Sequence, residues 1–154
     1  MALSSLILSD AVLADLKPNS KKQLLQELAS KAAGLCGRPE RLIFDQLLQR
    51  ERLGSTGIGQ GIAVPHAAIP GLPHLVGVFA RLARPVDFEA VDGVPVDLVF
   101  LLLAPESAGA DHLQALSRVA RFFRSTAHVN MLRQADDPAA IFAILTSEQS
   151  PRAA

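Results

Sequence analysis

The feature that most constrains the fold is an almost uninterrupted apolar run past the middle of the chain. Residues 96–103 read Val-Asp-Leu-Val-Phe-Leu-Leu-Leu, and Pro105 closes the run. A strand with one buried face alternates apolar and polar residues, whereas a strand covered on both faces is apolar almost throughout. We therefore predict that residues 96–103 form a central strand that is covered on both faces.

The segments around this run alternate between helical and extended patterns. Ser20 with Gln23 forms a capping box that begins one helix, and Pro39 begins a second helix that runs to about Leu53. The pattern further predicts strands at 62–64, 75–82 and 86–88 and a turn at Asp92-Gly93. Asp111 and Asp137 are predicted to cap two later helices. The buried stripe of the helix that Asp111 begins is predicted to consist of Leu113, Leu116, Ala120 and Phe123. Interleaved strands and helices predict a single α/β domain.

Composition excludes several classes of function. The 154 residues suffice for one domain with one core, and 15 basic residues balance 15 acidic residues. A neutral domain has no global field to attract nucleic acid or an acidic membrane. The N-terminus lacks the apolar region of a signal peptide, and the longest apolar run is too short to span a bilayer. The single cysteine allows no internal disulfide. We expect a cytoplasmic protein.

A glycine-rich loop at residues 54–61 raises the possibility of a phosphate cradle. Gly54 and Gly59 have the Walker spacing, but Gln60 and Gly61 stand where lysine and a hydroxyl residue are required. The dinucleotide fingerprint fails as well, because Ile62 stands where its third glycine belongs. The alternative is that the glycines allow a tight turn and close packing of the backbone.

His66 follows this loop and is the strongest candidate for chemistry. Pro65 restricts Val64 to extended geometry, so we predict a strand that ends at Pro65 and holds His66 at its mouth. An imidazole near its ordinary pKa is partly neutral at cell pH, and a neutral ring nitrogen can attack phosphorus. The alternative is a structural histidine whose ring is bonded to a backbone carbonyl.

Three further residues could assist His66. If Asp111 caps its helix, His112 is the first helical residue, and a phosphoryl group could bind between it and His66. Arg50 and Arg52 end the second helix, where a guanidinium could bind phosphate oxygens. The alternatives are a surface position for His112 and exposed arginines, one of them paired with Glu51. Without an H-x-x-x-H or Cys/His cluster, we predict no metal.

A longer segment carries a family resemblance. Residues 50–66, Arg-Glu-Arg-Leu-Gly-Ser-Thr-Gly-Ile-Gly-Gln-Gly-Ile-Ala-Val-Pro-His, resemble the active-site segment of phosphotransferase system IIA proteins of the mannitol/fructose type. Residues 94–105 resemble the later core strand of that family, and residues 111–121 resemble the helix that follows it. The resemblance covers residues 5–148 as one IIA type-2 domain, favours the nitrogen-regulatory branch, and leaves 149–154 as a flexible tail.

The resemblance implies a fold and a reaction. The fold would be a mixed β-sheet with helices on both faces. His66 would accept a phosphoryl group, on Nε2, from NPr, the HPr-like carrier that enzyme I-Ntr charges from phosphoenolpyruvate. His112 would stabilise the phosphorylated ring and Arg50 its charge, while Thr56 would hydrogen-bond the phosphoryl group or the ring and Gly61 would support the site. No cofactor is implied.

The resemblance also leaves alternatives open. The leading one is a regulatory phosphocarrier whose state controls partners such as sensor kinases or transporters. The others are a sugar-specific IIA component that passes phosphate to a IIB, and an interaction module without transfer activity. Relatives often carry a basic residue after the histidine, whereas Ala67 and Ala68 follow here, which predicts a more apolar carrier interface. Apolar residues at Ile69 and Leu72 predict a weak homodimer.

Overall fold

A computed structural model of the chain describes residues 2–147, so the predicted tail at 149–154 lies outside the described residues. Two short 3-10 turns, at Leu3–Ser5 and Ser9–Ala11, precede the first strand. The helices are α1 (Lys21–Cys36), α2 (Glu40–Arg52), α3 (Ala110–Phe123), α4 (Thr126–Gln134) and α5 (Pro138–Leu145). The strands are β1 (Val12–Leu16), β2 (Gly57–Gly59), β3 (Ile62–Ala63), β4 (His66–Ile69), β5 (Val76–Val86) and β6 (Val96–Pro105).

Strand β6 is the centre of a mixed six-stranded sheet. The order is β1-β5-β6-β3-β2, and β4 also pairs with β6. On one side β5 runs antiparallel to β6, and on the other side β3 and β4 run parallel to it, one after the other along its length. Every residue from Leu98 to Leu103 is fully buried, which confirms the prediction of a central strand covered on both faces.

The five helices flank this sheet in two groups. Helices α1 and α2 pack against each other, with α1 on β5 and α2 on β4. Helices α3, α4 and α5 pack in succession, with α3 on β6 and α5 on β1. The predicted α/β domain with a mixed sheet is confirmed. Between residues 2 and 147, no helix combines the length and the apolar character needed to cross a membrane.

Two predicted helix starts have the expected caps. The Ser20 hydroxyl accepts a hydrogen bond from the Gln23 amide at 3.1 Å, and the Asp137 carboxylate accepts one from the Ala140 amide at 2.8 Å. Each bond satisfies an amide that has no partner within its helix. Gly37, with φ 75°, then ends α1 in the left-handed conformation that favours glycine.

The predicted strands differ from the observed strands in three places. Residues 86–88 are not a separate strand, because β5 itself continues to Val86. The strand predicted at 62–64 ends at Ala63, and His66 is the first residue of a further strand, β4, rather than a residue at the mouth of the earlier one. Strands β1 and β2 and helix α4 were not predicted.

The predicted start of α3 is wrong, and its predicted stripe is right only in part, since Phe123 is buried and Leu116 is partly buried against the core. Gly109 is the N-cap residue, no side chain caps the helix, and Asp111 lies inside the first turn. His112 is therefore the third helical residue rather than the first. The buried face is rotated from the predicted stripe and consists of Ala115, Val119, Phe122 and Phe123. Leu113 is 70% exposed, because it lies on the opposite side of the helix.

The basis for the predicted homodimer is also wrong. Ile69 is 0% exposed and Leu72 is 5% exposed, so neither side chain is available for a contact between two copies of the chain. Ile69 is the last residue of β4 and packs into the core from a strand paired with β6. The apolar character that suggested a dimer reflects burial within the domain.

Candidate functional site

Three of the predicted site residues meet in one cleft of about 600 Å³. Arg50 comes from the last turn of α2, His66 begins β4, and His112 lies in the first turn of α3. The rings of His66 and His112 are 5.8 Å apart between centroids and nearly perpendicular, at 78°. The ends of three elements that are distant in sequence therefore form one site.

The backbone around His66 is fixed from both sides. The carbonyl of Pro65 accepts a hydrogen bond from the Leu102 amide at 2.9 Å, and His66 is then in register with Leu102 in the parallel pair of β4 and β6. Proline cannot donate a backbone hydrogen bond, so its carbonyl is the only backbone group by which it can join the sheet. His66 is consequently held by the most buried strand of the domain.

The hydrogen bonds of the His66 ring determine its tautomer. Nδ1 lies 2.9 Å from the carbonyl oxygen of Val64, and Nε2 lies 3.2 Å from Nε of Arg50. A carbonyl can only accept and a guanidinium can only donate, so Nδ1 carries the proton and Nε2 presents its lone pair. The carbonyl contact thus occupies one nitrogen, as the structural alternative required, but the other nitrogen faces the cleft as an acceptor.

Both histidines are held in their neutral form. Burial lowers the pKa of His66 below its ordinary value of 6.5, and the Arg50 guanidinium lowers it further. The hydrogen bond to the Val64 carbonyl raises this pKa, and the Glu51 carboxylate raises it more weakly. Burial also lowers the pKa of His112, and proximity to His66 lowers it further. Near neutral pH both rings are uncharged, which is the state in which a ring nitrogen is nucleophilic.

His112 differs from His66 in its partners. Its Nε2 atom is buried and has no hydrogen-bond partner within residues 2–147. A buried polar atom without a partner is costly, and such atoms often mark a position that a ligand completes. Because this atom belongs to a ring that lines the cleft beside His66, a group bound between the two rings is the natural partner.

Thr56 is directed away from the cleft. Its hydroxyl donates a short hydrogen bond to the Glu51 carboxylate, and its amide donates a second one to Glu51 at 3.1 Å. Glu51 is a residue that the sequence analysis missed as part of the site. Its side chain is 4% exposed and pairs with Lys21 at 3.0 Å, rather than with a neighbouring arginine as one alternative had it.

The signal for Glu51 was present in the sequence. Ile43, Leu47 and Glu51 are spaced four residues apart and lie on the buried face of α2. A carboxylate at a position of the apolar stripe is an exception to the pattern, and buried charges in proteins are paired. The position of Glu51 in the apolar stripe of α2 therefore predicts a buried carboxylate with a partner.

Gly61 serves packing at another part of the molecule. It has φ 84°, and a Cβ atom there would lie 2.5 Å from Nη2 of Arg133 and 2.9 Å from Oδ1 of Asp97. That arginine and that carboxylate join α4 to the start of β6 through an ion pair of 2.8 Å. Gly61 does not line the cleft around His66. The glycine at this position fits the alternative of close packing.

The rim of the cleft is partly apolar and carries both a positive and a negative side chain. Leu53, which is 84% exposed, stands at the end of α2, and Ala67 and Ala68 line the cleft after His66. Arg52 and Glu106 also line it. Nowhere in residues 2–147 do three or more metal-binding side chains come together.

Known proteins resemble this chain over nearly its whole length. The family described as "Phosphoenolpyruvate-dependent sugar phosphotransferase system, EIIA 2" matches residues 5–148. A nitrogen regulatory protein of Bradyrhizobium diazoefficiens is 56% identical over 145 residues, which cover 94% of this chain and 95% of that protein. In both comparisons the match extends over nearly the whole chain.

Two solved structures share the fold. Nitrogen regulatory protein IIA-Ntr from Neisseria meningitidis is 35% identical with a TM-score of 0.89, covering 94% of this chain and 99% of that one. The mannitol enzyme IIA of Escherichia coli, solved in complex with its phosphorylated enzyme IIB, is 16% identical with a TM-score of 0.76, covering 91% and 98%. This chain therefore belongs to the EIIA type-2 family of the phosphoenolpyruvate-dependent phosphotransferase system.

Proposed function

We propose that this protein is a nitrogen-regulatory phosphocarrier that accepts a phosphoryl group on Nε2 of His66. The donor is a phosphohistidine of an HPr-like carrier, NPr. The observation that carries the proposal is the fixed tautomer of His66, in which a protonated Nδ1 bonds to Val64 and the lone pair of Nε2 faces Arg50 in an open cleft. A nucleophile held in one orientation needs little further activation for transfer between two histidines.

The transfer involves one bond made and one bond broken. The lone pair of His66 Nε2 attacks phosphorus, and the bond between phosphorus and the carrier's ring nitrogen breaks. The electron pair of that bond returns to the carrier's ring. His66 keeps the proton on Nδ1, and the Val64 carbonyl stabilises the positive charge that the ring gains. Nothing in this step requires a metal or a nucleotide.

Arg50 changes its partner in the course of this step. Its Nε donates to the same lone pair that attacks phosphorus, so it has to turn to a phosphoryl oxygen when the new bond forms. The guanidinium has several donors in one plane, which suits a phosphoryl group. His112 approaches from the other side, and its unpartnered Nε2 gains a phosphoryl oxygen as acceptor if that nitrogen carries the proton.

The surface around the cleft supports docking of a protein carrier. Leu53, three residues after Arg50, is strongly exposed and lines the cleft, and the exposed Leu113 directly follows His112 along the chain. An exposed apolar side chain at the cleft of a reactive histidine fits the centre of a protein interface, where charged residues are depleted. Ala67 and Ala68 add to this apolar character, in line with the sequence expectation for the carrier interface.

We infer a regulatory rather than a sugar-transport role from the relatives. The matches over nearly the full length at 56% and 35% identity are to proteins named for nitrogen regulation. In this role the phosphorylated and unphosphorylated forms present different charge at the cleft, and partners such as sensor kinases or transporters distinguish them. A sugar-specific IIA component would instead pass the group on to a IIB protein.

The test is the intact mass of the protein after incubation with phosphoenolpyruvate, enzyme I-Ntr and NPr. We expect one acid-labile phosphoryl adduct on the wild type and on His74→Ala, whose exposed ring lies outside the cleft. His66→Ala should remain unmodified. An unmodified wild type, with NPr shown to be charged, would contradict the proposal. Rapid discharge to a IIB protein would favour the sugar-specific alternative.

A further inference from the structure

Glu51 is buried next to the site, but it has no part in the transfer described above. Its carboxylate has three partners: Nζ of Lys21, the amide of Thr56 and the hydroxyl of Thr56. Burial of a carboxylate is costly, and removal of one partner from a buried pair is strongly destabilising. Neutral side chains of similar size could fill this space, so the charge calls for an explanation.

Two chains of hydrogen bonds lead from the His66 ring back to Glu51. The first starts at Nδ1, which donates to the Val64 carbonyl; the Val64 amide donates to the Thr56 carbonyl at 3.0 Å, and the Thr56 amide donates to the Glu51 carboxylate. Each of these links is direct and involves no side chain other than those of His66 and Glu51. The position of the Val64 carbonyl thus depends on the anchor at Thr56.

The second chain starts at Nε2 of the ring. Arg50 donates to it through Nε and to the Gly54 carbonyl through Nη1, at 3.2 and 3.0 Å. The Gly54 amide donates to the backbone carbonyl of Glu51 at 3.1 Å. The turn at residues 53–56 therefore holds both Arg50 and Thr56, and the Glu51 carboxylate joins the far end of that turn to the last turn of α2.

We propose that Glu51 is a positioning residue for phosphoryl transfer, because its carboxylate anchors the turn that holds both hydrogen-bond partners of the His66 ring. The inference rests on the proposed function of His66. Glu51 touches neither the ring nor the phosphoryl group, and it acts through Thr56. Lys21 compensates the charge of Glu51. The Lys21 ammonium also lies over the Phe88 ring, 4.5 Å from its centroid.

The charge of Glu51 has a second effect on the ring. The titratable or charged groups that face His66 are Arg50, Arg52 and Glu51 from α2, Glu106 after β6, and His112 from α3. Glu51 opposes the lowering of the His66 pKa by burial and by Arg50. Its loss should therefore lower the pKa of His66 further, in addition to loosening the ring.

The chain offers an isosteric variant and a matched control. Glu51→Gln keeps the size of the side chain and removes its charge. Glu89→Gln is the control, because Glu89 also pairs with Lys21, at 3.5 Å, but is exposed and has no bond to Thr56. The double variant Lys21→Met/Glu51→Gln is a second variant, which removes the Glu51 charge together with the ammonium that compensates it and so leaves no unpaired buried charge. It decides the question if loss of the buried charge prevents folding of Glu51→Gln.

The experiment measures the His66 tautomer by ¹⁵N NMR of the free protein and the rate of phosphorylation by charged NPr. In Glu51→Gln and in Lys21→Met/Glu51→Gln we expect His66 to exchange between tautomers and transfer to slow by about tenfold, which is the effect of one hydrogen bond to a charged group. Glu89→Gln should match the wild type in both measurements. A purely structural role would lower the melting temperature and leave the tautomer unchanged.

The proposal is overturned if a folded Glu51→Gln or Lys21→Met/Glu51→Gln protein keeps the wild-type tautomer, or if it transfers at the wild-type rate. The tautomer is read without any carrier, so it tests Glu51 even if the wild type is not phosphorylated. Absence of phosphorylation in the wild type would contradict the proposed function, whereas an unchanged ring in the variants would contradict the role of Glu51.

Discussion

His66 and His112 are neighbours in one cleft, yet their surroundings differ in a way that separates their roles. Both nitrogens of His66 have partners, and these partners fix one tautomer. Nε2 of His112 is buried and has no partner in the part of the chain that the structure describes. The first ring is oriented as a nucleophile, and the second is available to bind a group that arrives. In the proposed transfer, orientation rather than the mere presence of a histidine distinguishes the acceptor.

The largest effect should come from the residue that orients the Nε2 atom of His66. Arg50→Met keeps most of the aliphatic stem and removes the guanidinium, so we expect phosphorylation to slow by about 100-fold, as on loss of a preorganised donor at an anionic group. The measurement is the initial rate of adduct formation with charged NPr. Arg41→Met is the control, since Arg41 is on the same helix, is exposed and pairs only with Asp45 in the interactions described. An Arg50→Met protein that is phosphorylated at the wild-type rate would show that Arg50 does not set His66 apart from His112.

A smaller effect is expected at the second histidine. His112→Ala should still form the adduct, but about tenfold more slowly, because a neutral ring offers one hydrogen bond that is weaker than those of a guanidinium. The rate of hydrolysis of the adduct should rise as well. Initial rates and adduct lifetimes by mass spectrometry check both statements. Complete loss of the adduct in a folded His112→Ala protein would show that the two rings are not separated in role.

The two rings should also titrate in a linked manner. Burial lowers the pKa of both histidines below 6.5, and His66 lowers the pKa of His112 further. In His66→Ala the pKa of His112 should therefore rise towards its ordinary value. The measurement is a ¹H–¹³C NMR titration of the ring resonances from pH 8 to pH 4. A pKa of either ring above 6.5 in the wild type would contradict the account.

The smallest effect concerns stability as a function of pH. In the unfolded chain each histidine takes up a proton near its ordinary pKa, whereas in the folded protein it does so at lower pH. Between these two values the unfolded state binds more protons, so the free energy of unfolding decreases as the pH falls through this window. Urea unfolding of wild type and His66→Ala at pH 7 and pH 5.5 should show a smaller decrease in the variant. An equal decrease in the free energy of unfolding of the two proteins would show that protonation of His66 does not contribute to the pH dependence of stability.

Sequence patterns predicted the centre of the fold and the position of the site, but not the local hydrogen bonds. The run at residues 96–103 predicted the central strand, since burial on both faces leaves a composition that no surface strand has. The string ending at His66 contains two of the three side chains that meet in the cleft, Arg50 and His66, and the segment at residues 111–121 contains the third, His112. Asp111 and Gln114 have the spacing of a capping box, which predicts a cap at Asp111, whereas the helix begins after Gly109, whose backbone conformation the pattern does not encode.

The partners of buried polar groups could not be predicted, because they depend on tertiary structure. One alternative pairs Glu51 with an adjacent arginine, but helix α1 brings Lys21 to it from 30 positions earlier in the sequence. The apolar residues Ile69 and Leu72 suggest a surface contact, but the pairing of β4 with β6 buries Ile69, and Leu72, just beyond β4, is also buried. In each case the deciding contact joins elements that are distant in sequence, and no local pattern carries that information.

The most direct test of the account is to identify the phosphorylated nitrogen. Protein labelled with ¹⁵N-histidine is phosphorylated by charged NPr, and long-range ¹H–¹⁵N correlations are recorded before and after the reaction. The account predicts that one ring, His66, changes to a form with phosphorus on Nε2 and the proton on Nδ1, while His112 remains unmodified. Phosphorus on Nδ1 of His66, or on either nitrogen of His112, would contradict it.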